Sequence, residues 1–483
     1  MPSGRPNILL IVTDQHRHDF VGYRGAGWLR TPNMDRIAQS GVAFARCYVN
    51  SPVCGPARCA LATGKQPHRL GRLTNSDVLP LSHRTLYQQL RDHNYWTGFV
   101  GKLDLAKYAN DFPGGGRAMR TDGASPEHFV FGFCRPVEID ASMDGAIDRE
   151  GPYGRHLERM GLLDAWVADR KARIPRDAVV AVSNFSGIDL RHADMPADWV
   201  RDVCRDSPLP TEAHVDAFIG EQAVRWLEDA QTAGPWFCQV NFMGPHDPFD
   251  PPAEYAERCR DADVPEPIPA EYADKPDWVA RRFITDNAEQ IRFSRRQYSA
   301  VIELIDHQIG RMLDVLERRG VLDDTVVIFT ADHGEMLGDF GLYIKHVGYE
   351  ASARVPLAMC GAGIPAGRTS DALVEWIDLN PTICELAGVP PLERTDALSL
   401  RPVLADASSP HRDSALCCEA HFHSVRDERW KLITSPNDRA ELYDLDADPQ
   451  ERQNLADDPA CAEQRKRMGG LLKRRLTEGG WLR

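Results

Sequence analysis

Apolar, β-branched runs alternate along this chain with segments of helical periodicity, and several of the runs open directly onto polar residues. The runs occupy positions 7–13, 97–101, 236–242, 325–330 and 355–360. A strand without polar alternation is buried on both faces, which calls for a mostly parallel sheet covered by helices. The covering helices are legible too. Val215, Phe218, Ile219, Ala223, Trp226 and Leu227 fall on one helical stripe, and Tyr298, Val301, Ile305, Ile309, Met312 and Leu316 on another. The expected fold is therefore α/β, a large mixed sheet sandwiched by helices. Polar residues cluster at strand ends as Thr13-Asp14-Gln15, Pro245-His246-Asp247 and Ala331-Asp332-His333. In open α/β sheets that rim is where sites are built.

Residues 110–212 carry Gly114-Gly115-Gly116, several prolines and little periodicity, and read as an insertion over the rim of a catalytic domain spanning 1–400. Strand signals at 430–433 and 441–445 predict a small antiparallel subdomain over 401–483. With 57 Lys+Arg against 71 Asp+Glu, the 483 residues carry a net charge of −14. That balance argues against a nucleic-acid partner, because binding the phosphate backbone needs clustered cations. No apolar stretch is long enough to span a membrane. The first apolar run is too short for a signal-peptide core, so the expected compartment is cytoplasmic. In a reducing cytosol most of the 12 cysteines act as small buried hydrophobes.

One cysteine stands apart. Cys54-Gly55-Pro56-Ala57-Arg58 continues through Cys59-Ala60-Leu61-Ala62 to Thr63-Gly64-Lys65. Taken alone this is a turn entering a helix, with Pro56 in the first turn. A zinc site using Cys47, Cys54 and Cys59 lacks the usual close cysteine pair. A thiolate nucleophile, its pKa depressed by a helix N-terminus and Arg58, is a further reading. Taken whole, the segment resembles the signature of the sulfatase family, members of the alkaline phosphatase superfamily. The resemblance implies an alkaline phosphatase-like fold and conversion of Cys54 to formylglycine by a modifying enzyme.

The same resemblance assigns metal ligands. Asp14, Gln15, Asp332 and His333 match the family's ligand positions, with residue 54 as a fifth. Two carboxylates, an amide oxygen and an imidazole suit a hard or borderline divalent cation, calcium by resemblance with manganese open. Many sulfatases carry Asp where this chain has Gln15 and Asn where it has His333. Three further residues match the family's sulfate-holding groups: Lys102 after a strand, His246 in a Pro-His segment, and Lys345 beyond the Asp-His-Gly-Glu loop. Lys102 and Lys345 would hold sulfate oxygens, Arg58 and the metal would acidify the attacking hydroxyl, and His246 or Lys345 would protonate the leaving oxygen. The customary Gly-Lys-Trp-His run is here Gly101-Lys102-Leu103-Asp104, so one histidine is missing and His346 is the candidate replacement.

Those departures, with Tyr349-Glu350-Ala351-Ser352-Ala353-Arg354-Val355-Pro356, look like the arylsulfatase K, or glucuronate-2-sulfatase, branch. The implied substrate is a small sulfated sugar such as a 2-O-sulfated uronic acid. Arg354, Arg72, Arg117, Arg120, Arg135 and Arg155 are candidates to receive its carboxylate. Phosphonate monoester hydrolases share the cysteine and Asp-Gln motifs but lack the lysine at position 102, so a phosphonate or phosphodiester hydrolase is the first rival. A non-catalytic relative that binds sulfated glycans is the second. A phosphomutase would need Ser or Thr in place of Cys54. The oligomeric state is left open, a homo-oligomer included.

Overall fold

The computed structural model describes residues 4–75, 77, 79–105, 126–139, 151–173, 199–230 and 234–478. Arg117 and Arg120 lie outside the described residues. Ile8, Leu9, Leu10, Ile11 and Val12 are each 0% exposed, so the first apolar run is central. Burying such a side chain contributes about 1.5–3 kcal/mol.

That run is strand β1 (Asn7–Thr13), followed by β2 (Gly41–Tyr48), β3 (Trp96–Gly101), β4 (Arg135–Glu138), β5 (Trp236–Asn241), β6 (Thr325–Ala331), β7 (Arg354–Val355), β8 (Leu357–Gly361) and β9 (Arg368–Glu375). Their spatial order is β4-β3-β5-β1-β6-β8-β2-β7, with β9 also pairing β2. The ladder from β4 to β6 is parallel throughout, with Leu10 of β1 facing Gln239 of β5 and Ile328 of β6. β8 runs antiparallel to both β6 and β2, which leaves β2 parallel to β6. The C-terminal ends of β1, β2, β3, β5 and β6 therefore share one rim. The run at 355–360 reads as one strand in the sequence, but Pro356 has no N–H for the ladder and divides it into β7 and β8.

Helices cover both faces, as the periodicity predicts. Those that matter to the rim are α1 (Cys54–Thr63), α2 (Val215–Asp229) and α3 (Ala288–Arg318). The apolar stripes of α2 and α3 enter one buried cluster with Leu9, Ile11 and Val240. The described parts of 110–212 are divided between that cluster and the one on the other face, which takes Phe131 and Phe133. Residues Gly151–Arg159 and Leu163–Arg173 are helical, and Tyr153, Leu157 and Trp166 pack into the core.

A second sheet follows in the order β10 (Ala415–Glu419), β11 (Phe422–Arg426), β12 (Trp430–Thr434) and β13 (Glu441–Asp444), antiparallel throughout. Helix α4 (Ala462–Glu478) closes it, with Met468, Leu471 and Leu472 against Leu416, Val425, Leu432 and Leu442. Cys418 N–H donates to Asn50 O at 2.9 Å, docking this sheet on the loop that leads from β2 into α1. No helix among the described residues is long and apolar enough to cross a membrane.

Gly101 ends β3 with φ +103°, and a Cβ there would lie 1.9 Å from Asn241 O of β5. Gly101→Ala is expected to lose about 1–2 kcal/mol from the left-handed conformation alone, and more from the overlap. Gly27→Ala, which meets nothing within 4 Å, should leave the thermal unfolding midpoint unchanged. Equal midpoints for the two variants would contradict this reading of the β3 end.

Candidate active site

Each shared strand end delivers a polar group to the same place. β1 supplies Asp14 and Gln15, β3 supplies Lys102, β6 supplies Asp332 and His333, and the loop after β5 supplies His246. β2 leads within a few residues to Cys54, the first residue of α1. Every residue of α1 is buried, and Gly64 caps it in the left-handed conformation with φ +67°. Position 54 is thus fixed to a helix that cannot shift without disturbing the core.

Arg58, one turn further along α1, binds the strand ends together. Its Nε donates to Asp332 Oδ2 at 2.9 Å, its Nη2 to Asp14 Oδ2 at 3.1 Å, and its Nη1 to Lys102 O at 2.5 Å. Lys102 Nζ reaches Asp14 Oδ2 at 2.6 Å, Cys54 Sγ at 3.5 Å and Asp104 Oδ2 at 3.4 Å. Asp14, Asp332 and His333 are 0% exposed, and Arg58 is 1% exposed. Charges so deeply buried persist only where each has partners.

The protonation states follow from this crowding. Burial alone would raise the Asp14 carboxyl, but Lys102, His246, Arg58 and His333 together hold it well below the usual range. Asp332 moves the other way, raised by burial and by the charge of Asp14. At Cys54, burial and Asp14 work to raise the thiol, and Lys102, Lys345 and His333 outweigh them, so it sits well below its ordinary value.

The donor set fits the divalent cation that the resemblance implies. Asp14, Cys54, Asp332 and His333 place one ligand atom each within 4.8 Å of one another, the convergent His/Cys/Asp/Glu group among the described residues. Arg58 occupies the Oδ2 atoms of both carboxylates. Their Oδ1 atoms each face His333 Nε2 at 3.7 Å, and Asp14 Oδ1 lies 3.7 Å from Cys54 Sγ. His333 Nδ1 lies 3.0 Å from Gly334 O, an acceptor that keeps a proton on Nδ1, and Nε2 lies 3.1 Å from Cys54 Sγ, so Nε2 is the ring atom that a cation would take. Neither Cys47 nor Cys59 joins this group, so the three-cysteine zinc arrangement does not form.

Lys345 and His246 close the opposite side. Lys345 Nζ lies 2.6 Å from His246 Nε2 and 2.5 Å from Gln15 Oε1. His246 Nδ1 bonds Asp247 O at 2.8 Å, so its Nε2 accepts from the lysine. Gln15 also gives its backbone N–H to Asp332 Oδ1 at 3.1 Å. Its side-chain Nε2 donates to Glu335 Oε2 at 2.5 Å and to Asp247 Oδ1 at 3.2 Å.

The structure thus brings together Asp14, Gln15, Cys54, Arg58, Lys102, His246, Asp332, His333 and Lys345. The remaining candidates are held elsewhere. His346 follows Lys345 but its Nδ1 is bound to Glu419 Oε1 of β10 at 2.7 Å, and burial lowers its pKa against the pull of that carboxylate. Arg354 donates to Ala45 O at 3.0 Å and pairs with Glu350. Arg135 pairs with Asp229, Arg155 is exposed, and Arg72 is buried beside Gly55, its Nη2 3.4 Å from Asp104 O. Glu335, Asp247 and Glu419 escaped the sequence reading. The first two stand inside motifs it quoted, whereas nothing local marks Glu419.

The sulfatase family model matches residues 6–389, and a model of the N-sulphoglucosamine sulphohydrolase C-terminal region matches 338–478. The chain belongs to the sulfatase family. It is accordingly a sulfuric ester hydrolase. It is similar to an arylsulfatase of Clostridium perfringens, 27% identical over 93% of this chain and 90% of that protein. It is also similar to the multifunctional alkaline phosphatase superfamily protein PehA of Trinickia caryophylli, 30% identical over 95% of this chain and 92% of that protein. Among solved structures, the phosphonate monoester hydrolase of Agrobacterium radiobacter superposes with a TM-score of 0.79 at 25% identity, covering 98% of this chain and 96% of that one.

Removing Arg58 from this sulfatase would leave Asp14 and Asp332 as buried carboxylates facing each other. Arg58→Ala is expected to cost about 3–5 kcal/mol in chelator-treated protein. Calcium or manganese should recover part of that loss by taking the same Oδ1 atoms. Denaturant unfolding with and without metal measures both effects. A loss unaffected by metal would contradict the assignment of these carboxylates.

Proposed function

We propose that this sulfatase hydrolyses the sulfate ester of a small carbohydrate, a 2-O-sulfated uronic acid first among candidates, with residue 54 as its nucleophile. The observation that carries the reading is the set of contacts at position 54, where Lys102 Nζ lies at 3.5 Å and His333 Nε2 at 3.1 Å. Formylglycine at 54 and a divalent cation would supply a hydrated aldehyde with a hydroxyl acidic enough to attack sulfur. Asp14, Gln15, Asp332 and His333 would hold that cation. Lys102 and Lys345 would meet the peripheral sulfate oxygens, where charge shifts during S–O cleavage. The proton held between Lys345 Nζ and His246 Nε2 is the one available to the departing sugar oxygen. His246 is a quarter exposed, so this edge opens to solvent and substrate. A net charge of −14 disfavours long polyanions and supports a mono- or disaccharide.

A second reading, hydrolysis of phosphonate monoesters or phosphodiesters, is favoured by the likeness to the phosphonate monoester hydrolase. The same tetrahedral-anion pocket would serve it, and the resemblance associates Lys102 with the sulfate reading. Turnover of matched aryl sulfate and aryl phosphonate, followed by a panel of sulfated sugars, separates the two. The proposal predicts that sulfate esters turn over faster and that a 2-O-sulfated uronic acid ranks among the best sugars; preference for the phosphonate would overturn it.

Two further outcomes follow from the roles assigned. Protein made with a formylglycine-generating enzyme should show the sulfur of Cys54 replaced by a carbonyl oxygen in its peptide mass, and full activity from an unmodified thiol would refute that route. His246→Ala should lower kcat by about 10²–10⁴-fold on sugar sulfates. The loss should be smaller on aryl sulfates, whose leaving oxygen needs less protonation. An equal loss on both would assign His246 to binding.

A further inference from the structure

We propose that Glu335 is a positioning residue that sets which way round the Gln15 amide sits, so that its oxygen and not its nitrogen faces Lys345 and is the end offered to a cation. The inference rests on reading that cluster as a metal site.

The two ends of a glutamine amide are nearly identical in shape, so sterics alone cannot choose between them. Hydrogen-bond chemistry does the choosing here. An ionised carboxylate accepts only, and Gln15 Nε2 faces two carboxyl groups, Glu335 Oε2 at 2.5 Å and Asp247 Oδ1 at 3.2 Å. An ammonium donates only, and Gln15 Oε1 faces Lys345 Nζ at 2.5 Å. Turning the amide over would make all three contacts wrong at once. In the observed orientation both N–H groups are used and one oxygen lone pair is used, which leaves the other for a cation.

Glu335 is the more rigid of the two carboxylates. It is 0% exposed, and its other oxygen accepts the backbone N–H of Leu337 at 2.9 Å and of Ile344 at 2.5 Å. Asp247 is farther from Gln15 and its side chain is partly exposed. The backbone of Gln15 is fixed as well, at φ +64°, with its carbonyl accepting from Tyr298 Oη at 2.6 Å and its N–H on Asp332. The orientation of the amide is the freedom that remains. The same carboxylate also spans the loop between His333 and Lys345, linking the metal-side and sulfate-side groups.

The test is a double-mutant cycle on manganese affinity, read by calorimetric titration of Mn²⁺ into chelator-treated protein. Glu335→Gln keeps its oxygen on the Leu337 and Ile344 N–H groups and so turns its NH2 toward Gln15, which reverses the bias, and the expected loss is about 10–100-fold in affinity. Gln15→Glu alone sets two carboxylates against each other. The double variant Gln15→Glu with Glu335→Gln restores one carboxylate and one amide with their places exchanged. The expected gain from Gln15→Glu is therefore larger in the Glu335→Gln background than in wild type. Additive effects would show that Glu335 only holds its loop, as would wild-type affinity in Glu335→Gln, and either overturns the proposal. If Glu335→Gln alone does not fold, the double variant decides, because a folded, manganese-binding double variant supports the exchange and an unfolded one refutes it. Wild-type protein that binds no manganese overturns the reading of the cluster itself, and the proposal with it.

Discussion

Arg58 donating to two aspartates is the interaction on which the site depends. Asp14 follows β1, Asp332 follows β6 and Lys102 follows β3, and one guanidinium reaches all three. A planar fork of fixed N–H donors can do this, whereas a lysine, as a single point charge, could not satisfy acceptors lying in several directions. Because Arg58 is on the helix that begins at residue 54, the same side chain sets the distance between residue 54 and the carboxylates at the strand ends. Its consumption of both Oδ2 atoms also decides which carboxylate oxygens remain for a cation. The rigidity of the core beneath, with β1 wholly buried, holds the fork in place.

The acidic surface and the cationic pocket belong to different length scales. A net charge of −14 is spread over a large surface and is screened within about 8–10 Å at ordinary salt. Inside the site, Arg58, Lys102 and Lys345 stand within bonding distance of specific oxygens, where burial weakens screening. Two acidic residues are part of this arrangement and do not oppose it: Glu335 and Asp247 face the nitrogen of Gln15 and leave its oxygen to Lys345. The cluster of cations at the strand ends is a local construction and needs no basic surface.

Much of this was legible in the chain because buried parallel strands are continuous apolar runs with polar residues at one end. β1, β3, β5 and β6 announce themselves this way, and so do the groups that follow them. β2 and β9 do not, since Gly41-Val42-Ala43-Phe44-Ala45-Arg46 and Arg368-Thr369-Ser370-Asp371 mix small and charged residues with few β-branched apolar ones. β4 is a short edge strand inside a stretch without periodicity. Arg354 has the residue type for a carboxylate anchor, yet its place beside β2 commits it to a backbone carbonyl and Glu350. Glu419 is 73 residues from its partner His346, and only the docking of the second sheet brings them together. Pairings that span two sheets leave no local pattern to read.

Where a metal sits relative to the Arg58 fork tests this account most directly. Anomalous scattering from crystals of the formylglycine-bearing protein soaked in manganese would locate it. The account predicts one strong peak within coordination distance of Asp14, Gln15, Asp332 and His333, beside residue 54 and on the opposite side of both carboxylates from Arg58. A peak elsewhere, or full sulfatase activity with no peak at this position, would contradict it.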